Sequence, residues 1–327
     1  MGTREERIVV IIPALNEEQT IGDVLAECHE TLNGKNYDIL VVDGRSSDET
    51  VRISRQKRAQ VIFQKGTGYG DALVSGFGHA LRVLKPDVVV MMDADGTYAP
   101  RNISDLLKPI IDNEADMVIG DRFAGLEEGS MSFISRVGNR FFSGLSKRLF
   151  NTGSLDTQSG FRAFRTEMLS NLVFRNPGMA FASEMIVEVK NAKYRVMQVP
   201  VTYKLRRGKS KLRPFRDGWY ILGVLVRLYR DWSPLLFFGA MGGVLLLGGI
   251  ILALYLTALY FLVGMVPSFV STTIVAVMFV SGLVIFVMGL LADMIKDMRE
   301  RLRVFETQLA ENLLNNRNSR NKQATET

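Results

Sequence analysis

The run DVVVMMDADGTYAP, residues 87–100, ends an apolar stretch with two aspartates, Asp93 and Asp95. Two carboxylates that close repel each other and are costly to desolvate. Either a cation sits between them or both face water. Other acids fall in the same kind of place: Glu17 follows VVIIPALN, and Asp43 follows DILVV. Carboxylates at the ends of neighbouring parallel strands converge on one crevice, where an acid can accept hydrogen bonds from a base and a ribose. The Asp-Ala-Asp pair suits a hard divalent cation, Mg²⁺ or Mn²⁺, which takes oxygen ligands and also binds substrate phosphates. A single strand-end aspartate serves equally well as a cap or turn residue, and Asp48 is read that way.

Residues 64–73, QKGTGYGDAL, put Gly66, Gly68 and Gly70 before a helix-like stretch. Glycines let a phosphate approach open backbone amides. The loop is not a Walker loop, because no Gly-Lys-Ser/Thr follows, and it makes a poor dinucleotide fingerprint. The two histidines, His29 and His79, lie in helix-like segments away from these motifs and read as structural.

The elements that must position these residues alternate. Strands are expected over 7–12, 38–43, 60–63 and 87–92, with helices over 17–32, near 48–58 and near 70–84. Short apolar strands separated by helices imply an α/β fold, a mostly parallel sheet with helices on both faces. In such sheets ligands collect beyond the carboxyl ends of the strands.

The rest of the 327-residue chain is of another kind. From Trp232 to Ala292 there are 61 residues without Asp, Glu, Lys or Arg, where one membrane span needs roughly 20. Two spans are expected, at about 234–262 and 268–291, with Pro267 and Ser268 in the turn. Soluble helices show a polar face, and these do not. Residues 204–230 carry nine Lys or Arg against the single acid Asp217. The positive-inside rule puts that side in the cytoplasm, where the basic residues meet anionic headgroups or a phosphate-bearing lipid. That position, beside a span, argues against nucleic acid as the partner. Trp219, Tyr220, Tyr229 and Trp232 among the arginines read as an interfacial segment. The charged start does not read as a secretory signal, and one cysteine, Cys28, excludes an internal disulfide framework. Residues 293–313 read as a charged helix through which copies of the chain could associate as a homo-oligomer, and the final stretch reads as disordered. The expected domains are therefore 1–205 catalytic, 206–232 juxtamembrane, 233–292 membrane hairpin and 293–327 cytoplasmic.

Eight motifs, in order, resemble the family 2 glycosyltransferases, in particular polyprenyl-phosphate sugar transferases of the dolichyl-phosphate mannose synthase type. They are IIPALNEE, VVDGRSSDET, KGTGYGDAL, MDADGTYAP, GDRF, SRVGN, DTQSGFRAF and VPVTYKLRRGKSKL. The resemblance implies a GT-A fold and inverting transfer of a hexose (mannose, glucose or N-acetylglucosamine) from a GDP- or UDP-sugar to polyprenyl or dolichyl phosphate. It would occur at the cytoplasmic face of a prokaryotic cell membrane. Carried over by motif, Asp93, Asp95, Arg122 and Asp156 would be catalytic, with Asp95 and Asp93 at the metal. Pro13, Asn16, Glu17, Asp43, Lys65, Gly66, Asp93, Gly160 and Arg162 would hold the nucleotide sugar. Arg136, Arg206, Arg207, Ser210 and Lys211 would hold the lipid phosphate. Two departures, Gly96-Thr97 after the acidic pair and Leu205 in the closing block, speak against assigning GDP-mannose as the donor.

A lipid phosphate is already an anion at neutral pH, so attack by it needs no general base; the site must instead gather two anions. Arginine, which pairs with phosphate through a bidentate fork, suits that task. Two other readings compete. A processive polysaccharide synthase would carry Gln-x-x-Arg-Trp and more spans, whereas the chain has YRDW at 229–232 and one hairpin. A non-catalytic membrane subunit would have no need of the acidic pair, Arg122 or Lys211.

Overall fold

Runs of valine and isoleucine without polar alternation make strands that are buried on both faces. In the computed structural model, which describes residues 6–127, 133–150, 155–172, 174, 178, 180–206 and 214–325, such runs are β1 (Ile8–Ala14), β2 (Tyr37–Asp43) and β4 (Val88–Met91), while β3 (Gln60–Phe63) is a part-exposed edge strand. Between them come α1 (Ile21–Thr31), α2 (Thr50–Gln56) and α3 (Tyr69–His79). A π-helical turn, Ala80–Leu84, extends α3 and stops at Lys85, whose φ of 48° breaks the helix. The chain continues through α4 (Ile103–Ile111), β5 (Met117–Asp121), α5 (Phe133–Phe150), β6 (Arg162–Arg165), α6 (Thr166–Ser170), α7 (Phe181–Asn191) and β7 (Val196–Pro200).

The seven strands form one sheet in the order β3-β2-β1-β4-β6-β5-β7. Pairing is parallel except at β6, which runs antiparallel to both β4 and β5. Alternate residues of β1 feed the two cores. Ile8, Val10 and Ile12 pack with Leu25 of α1 and Leu106 of α4, while Val9 and Ile11 pack with Leu73 of α3 and Met185 of α7. Helix α3 lies close against the sheet because residue 76 is glycine. A Cβ there would come within 2.7 Å of Ile11 Cγ2 and 2.9 Å of Val42 Cγ2. The register Ile11–Leu40 and Ile11–Met91 aligns β1, β2 and β4, so their carboxyl ends open at one level.

Residues through Leu225 and residues from Val226 form two separate units. The helix α8 (Pro214–Trp232) buries Ile221, Val224 and Leu225 and exposes Trp219. In the second unit α9 (Pro234–Val263) packs along α10 (Phe269–Thr325). Gly242 faces Gly282, where a Cβ would lie 2.6 Å from the Gly282 carbonyl, so the two backbones approach closely. Pro234–Val263 and Phe269–Arg299 are long and apolar enough to cross a membrane, and only 11% of the most apolar window of each is buried. A helix pair in a soluble core would bury most of that surface. The backbone of α10 stays helical to Thr325, where the sequence suggests disorder. The segment after Gly289 contains no Gly or Pro and is rich in Leu, Arg and Glu, all good helix formers.

Candidate active site

The tips of the parallel strands enclose a cleft with a cavity volume of about 310 Å³. Its β1 side is Pro13, Ala14, Leu15 and Glu17, and Gly44 follows β2. Gly68 and Tyr69 supply the α3 end, Asp93, Ala94 and Asp95 continue from β4, and Arg122 follows β5. Gln158 and Gly160 precede β6, and Tyr203 and Arg206 follow β7.

The acidic pair is held differently at its two members. Asp95 Oδ1 accepts from the Thr97 amide at 3.0 Å and the Thr97 hydroxyl at 2.6 Å, within a turn that Gly96 makes with φ +72°. Asp93 Oδ1 accepts from the Tyr69 hydroxyl at 2.9 Å. Its other oxygen lies against Gly160, where a Cβ would come within 2.4 Å. Burial, and then the Asp95 carboxylate, raise the pKa of Asp93, while Tyr69, Arg122 and Arg206 pull it the other way. Positive charge nearby therefore favours the charged form of Asp93.

That charge comes from two arginines. Arg122 forms a buried fork with Asp156, Nε to Oδ2 at 2.7 Å and Nη2 to Oδ1 at 2.8 Å. Burial opposes its charge most strongly, but Asp156, Tyr98 and Tyr203 together more than offset burial and raise its pKa. Its guanidinium lies 5.6 Å from the Tyr203 ring centroid, within cation–π reach. Arg206 bridges two carboxylates, with Nη2 3.1 Å from Glu17 Oε1 and Nη1 3.1 Å from Asp95 Oδ2.

A family model, glycosyl transferase family 2, matches residues 9–173. The chain belongs to that family. Glycosyltransferase AglJ of Haloferax volcanii is 30% identical over 308 residues, covering 92% of this chain and 98% of its own length. A dolichyl-phosphate hexose transferase of the same organism is 35% identical over 214 residues, covering 64% and 89%. Among solved structures, glucosyl-3-phosphoglycerate synthase from Mycobacterium tuberculosis, in complex with Mn²⁺, uridine-diphosphate-glucose and phosphoglyceric acid, superposes with a TM-score of 0.56 at 22% identity, over 68% of this chain and 80% of that one. That likeness establishes the GT-A fold of this glycosyltransferase.

Several residues of the family motifs stand behind the cleft and do not line it. Asp43 is fully buried, and its carboxylate accepts from the Ser46 amide at 2.9 Å and from the Ser46 hydroxyl. Asn16, in the left-handed region at φ 49°, accepts from the Ser47 amide at 2.8 Å and ties the two loops together. Asp48 accepts from the Thr50 amide at 3.0 Å, a local turn bond at the start of α2. Gly66 donates its amide to Asp71, and Lys65 is exposed. Arg162 is fully buried on the carbonyls of Ser159, Ala182 and Thr157 at 2.9–3.0 Å, and burial lowers its pKa to about 10. It pins the loop that carries Gln158 and Gly160. Arg136 is half-buried on α5 and does not line the cleft. Arg207, Ser210 and Lys211 lie outside the described residues.

The sequence reading did not pick out Tyr69, Tyr98, Tyr203, Gln64 or Gln158, all of which line the cleft. Tyr98 stands within the MDADGTYAP motif, accepts from the Gly160 amide at 2.8 Å and meets Tyr203 edge-on at 5.2 Å. His29 bonds Tyr37 and the Lys57 carbonyl, and His79 bonds Gln60, all outside the cleft.

The donor set fits a hard divalent cation. The described lining carries three carboxylates against two guanidinium groups, so a diphosphate would be repelled without added positive charge. Among the described residues no third acid, His or Cys joins the pair as a ligand cluster. Mg²⁺ is commonly bound in that way, by one or two carboxylates with substrate phosphate and water completing the shell.

Proposed function

We propose that this glycosyltransferase moves one hexose (mannose, glucose or N-acetylglucosamine) from a GDP- or UDP-sugar to polyprenyl or dolichyl phosphate, with inversion. The observation that carries the reading is one cleft in which the Asp93–Asp95 pair faces Arg122 and Arg206. An oxygen of the lipid phosphate forms a bond to the anomeric carbon as the bond from that carbon to the diphosphate breaks, and the nucleoside diphosphate leaves. The attacking group is already anionic, so the residues have positioning and charge to supply, not proton abstraction.

Asp95, with Asp93, would hold Mg²⁺ or Mn²⁺. The ion supplies charge neutralisation to the departing diphosphate. Pro13 and Glu17 border the nucleotide, with Asn16, Asp43, Lys65 and Gly66 shaping the loops around it. Arg162 and Asp156 hold the sugar-side loop and Arg122. Arg206, with Arg136, Arg207, Ser210 and Lys211, receives the lipid phosphate. Support for that acceptor comes from the 35%-identical Haloferax relative, a dolichyl-phosphate hexose transferase, and from the two apolar helices. Helix α5 adds an exposed row, Phe133, Val137 and Phe141, beside Arg136 and Arg140, the mixture that membrane-surface helices carry. We assign 1–205 as catalytic, 206–232 as juxtamembrane, 233–292 as the membrane hairpin and 293–327 as cytoplasmic, with the catalytic unit on the cytoplasmic side.

The test is a transfer assay. Protein in detergent is given polyprenyl phosphate, Mn²⁺ or Mg²⁺, and in turn labelled GDP-mannose, UDP-glucose and UDP-N-acetylglucosamine. Metal-dependent label in the organic phase from one donor, absent in Asp95→Ala, is expected. No lipid-borne label from a wider donor panel would remove the acceptor assignment.

A further inference from the structure

We propose that Arg206 is the resident cation of the metal position, exchanged out when metal and nucleotide arrive together, so that metal uptake is conditional on donor. This rests on the metal reading above.

The geometry is a two-carboxylate clamp. One arm of the guanidinium is 3.1 Å from Asp95 Oδ2 and the other is 3.1 Å from Glu17 Oε1. Asp95 Oδ1 is already engaged by the amide and hydroxyl of Thr97. Oδ2 is thus the Asp95 oxygen that faces incoming charge, and Arg206 stands on it. A Mg²⁺ ion would sit at about 2.0–2.1 Å from that oxygen. Two cations on one carboxylate oxygen repel each other, so the ion and the guanidinium exclude each other.

The clamp is also built to open. Backbone anchors run up to Lys204: the Tyr203 amide donates to the Gly125 carbonyl at 2.9 Å, and the Lys204 amide donates to the Thr97 carbonyl at 2.7 Å. The second bond ties the segment directly to the turn that presents Asp95. Arg206 lies two residues beyond that anchor, so its side chain can swing without unpairing the segment. Its Nε is buried and has no hydrogen-bond partner among the described residues. The resting clamp therefore leaves one guanidinium donor unmet. A diphosphate or lipid phosphate offers that donor an acceptor and takes the displaced arms in a bidentate fork.

Metal alone must take Asp95 from Arg206 and leave it Glu17 as its single anion. Metal with a nucleoside diphosphate gives it a second. The two ligands then bind cooperatively, and linkage makes the coupling equal in both directions.

The experiment titrates Mn²⁺ into detergent-solubilised full-length protein, followed by electron paramagnetic resonance, without nucleotide and with UDP or GDP. Wild type is compared with Arg206→Gln and Arg206→Lys, each checked by thermal melting. In the absence of nucleotide, Arg206→Gln is expected to bind Mn²⁺ about tenfold tighter, and the strengthening caused by nucleotide is expected to shrink by the same factor. Arg206→Lys keeps one charge but cannot span both carboxylates, so it falls between. Nucleotide-free binding that is unchanged or weaker in Arg206→Gln overturns the exchange. Transfer that proceeds in EDTA, with no Mn²⁺ uptake by any form, overturns the exchange together with the metal reading. Tighter binding in Arg206→Gln beside a wild type that transfers nothing to lipid leaves the exchange standing and removes only the acceptor.

Discussion

The two halves of the sheet hold opposite charge in opposite ways. In the β1–β4 half, acids stand at strand tips, and two are fixed by donors a few residues on: Ser46 on Asp43 and Thr97 on Asp95, while Asp93 is reached from α3 by Tyr69. In the β5–β7 half, arginines are fixed by acceptors that include distant ones: Asp156 on Arg122, and the Ala182 carbonyl on Arg162 beside the nearby carbonyls of Ser159 and Thr157. Arg206 alone of these bridges back to the acidic half, reaching Glu17 and Asp95. The difference teaches that Asp43 and Asp95 are local products of strand and turn, whereas Arg122 and Arg206 find their partners only once distant parts of the sheet are assembled.

The largest effects should come from breaking the long-range half. Asp156→Ala leaves the Arg122 guanidinium buried without its carboxylate, and loss of one member of a buried pair costs about 3–5 kcal/mol. Chemical denaturation in detergent would read this as a lower midpoint, and an unchanged midpoint would mean that the pair does not hold the half together. Breaking the local half should spare the fold and remove the chemistry. Asp95→Ala is expected to lower kcat by about 10²–10³-fold, with little change in melting. A smaller loss is expected where the halves touch. Gly160→Ala pushes a methyl toward Asp93 Oδ2, and displacement on that scale costs about 10²-fold in rate; full activity would show that Asp93 has room to move. The smallest effect lies at the far end of the basic half. Arg195 bonds Asp116 at 2.9 Å and holds its carboxyl below the usual aspartate range. A lowered folded pKa contributes stability above the unfolded value of about 3.9, and that stability is lost as pH falls through the folded value. The gap in melting temperature between wild type and Arg195→Gln should be present at pH 6 and close as the solution is acidified below that range.

The same contrast explains what could be read beforehand. Strands β1, β2 and β4 announce themselves as unbroken valine and isoleucine runs, and their acids follow directly, so the cleft at Asp93, Asp95 and Glu17 was legible. Strand β6 is RAFR, with arginine at both ends, and nothing in its pattern marks it as a buried strand running antiparallel between β4 and β5. Arg162 is legible as a motif residue, but its bond to the Ala182 carbonyl depends on where α7 packs. The tyrosines of the cleft were missed because an aromatic in a loop looks the same whether it lines a site or fills a core. Asp43 accepts from Ser46 and Asn16 Oδ1 from Ser47, local bonds that spacing alone does not reveal.

Cys28 has a practical consequence. It is the single cysteine, fully buried in α1, and burial raises its thiol pKa, which leaves little thiolate to react. The natural chain is therefore close to thiol-silent in labelling experiments. A cysteine introduced at Ser268, in the turn between α9 and α10, would be the one position open to a membrane-impermeant maleimide. Intact cells against opened ones, with the protein purified after labelling, would then report the sidedness of the hairpin without background from the chain's own thiol.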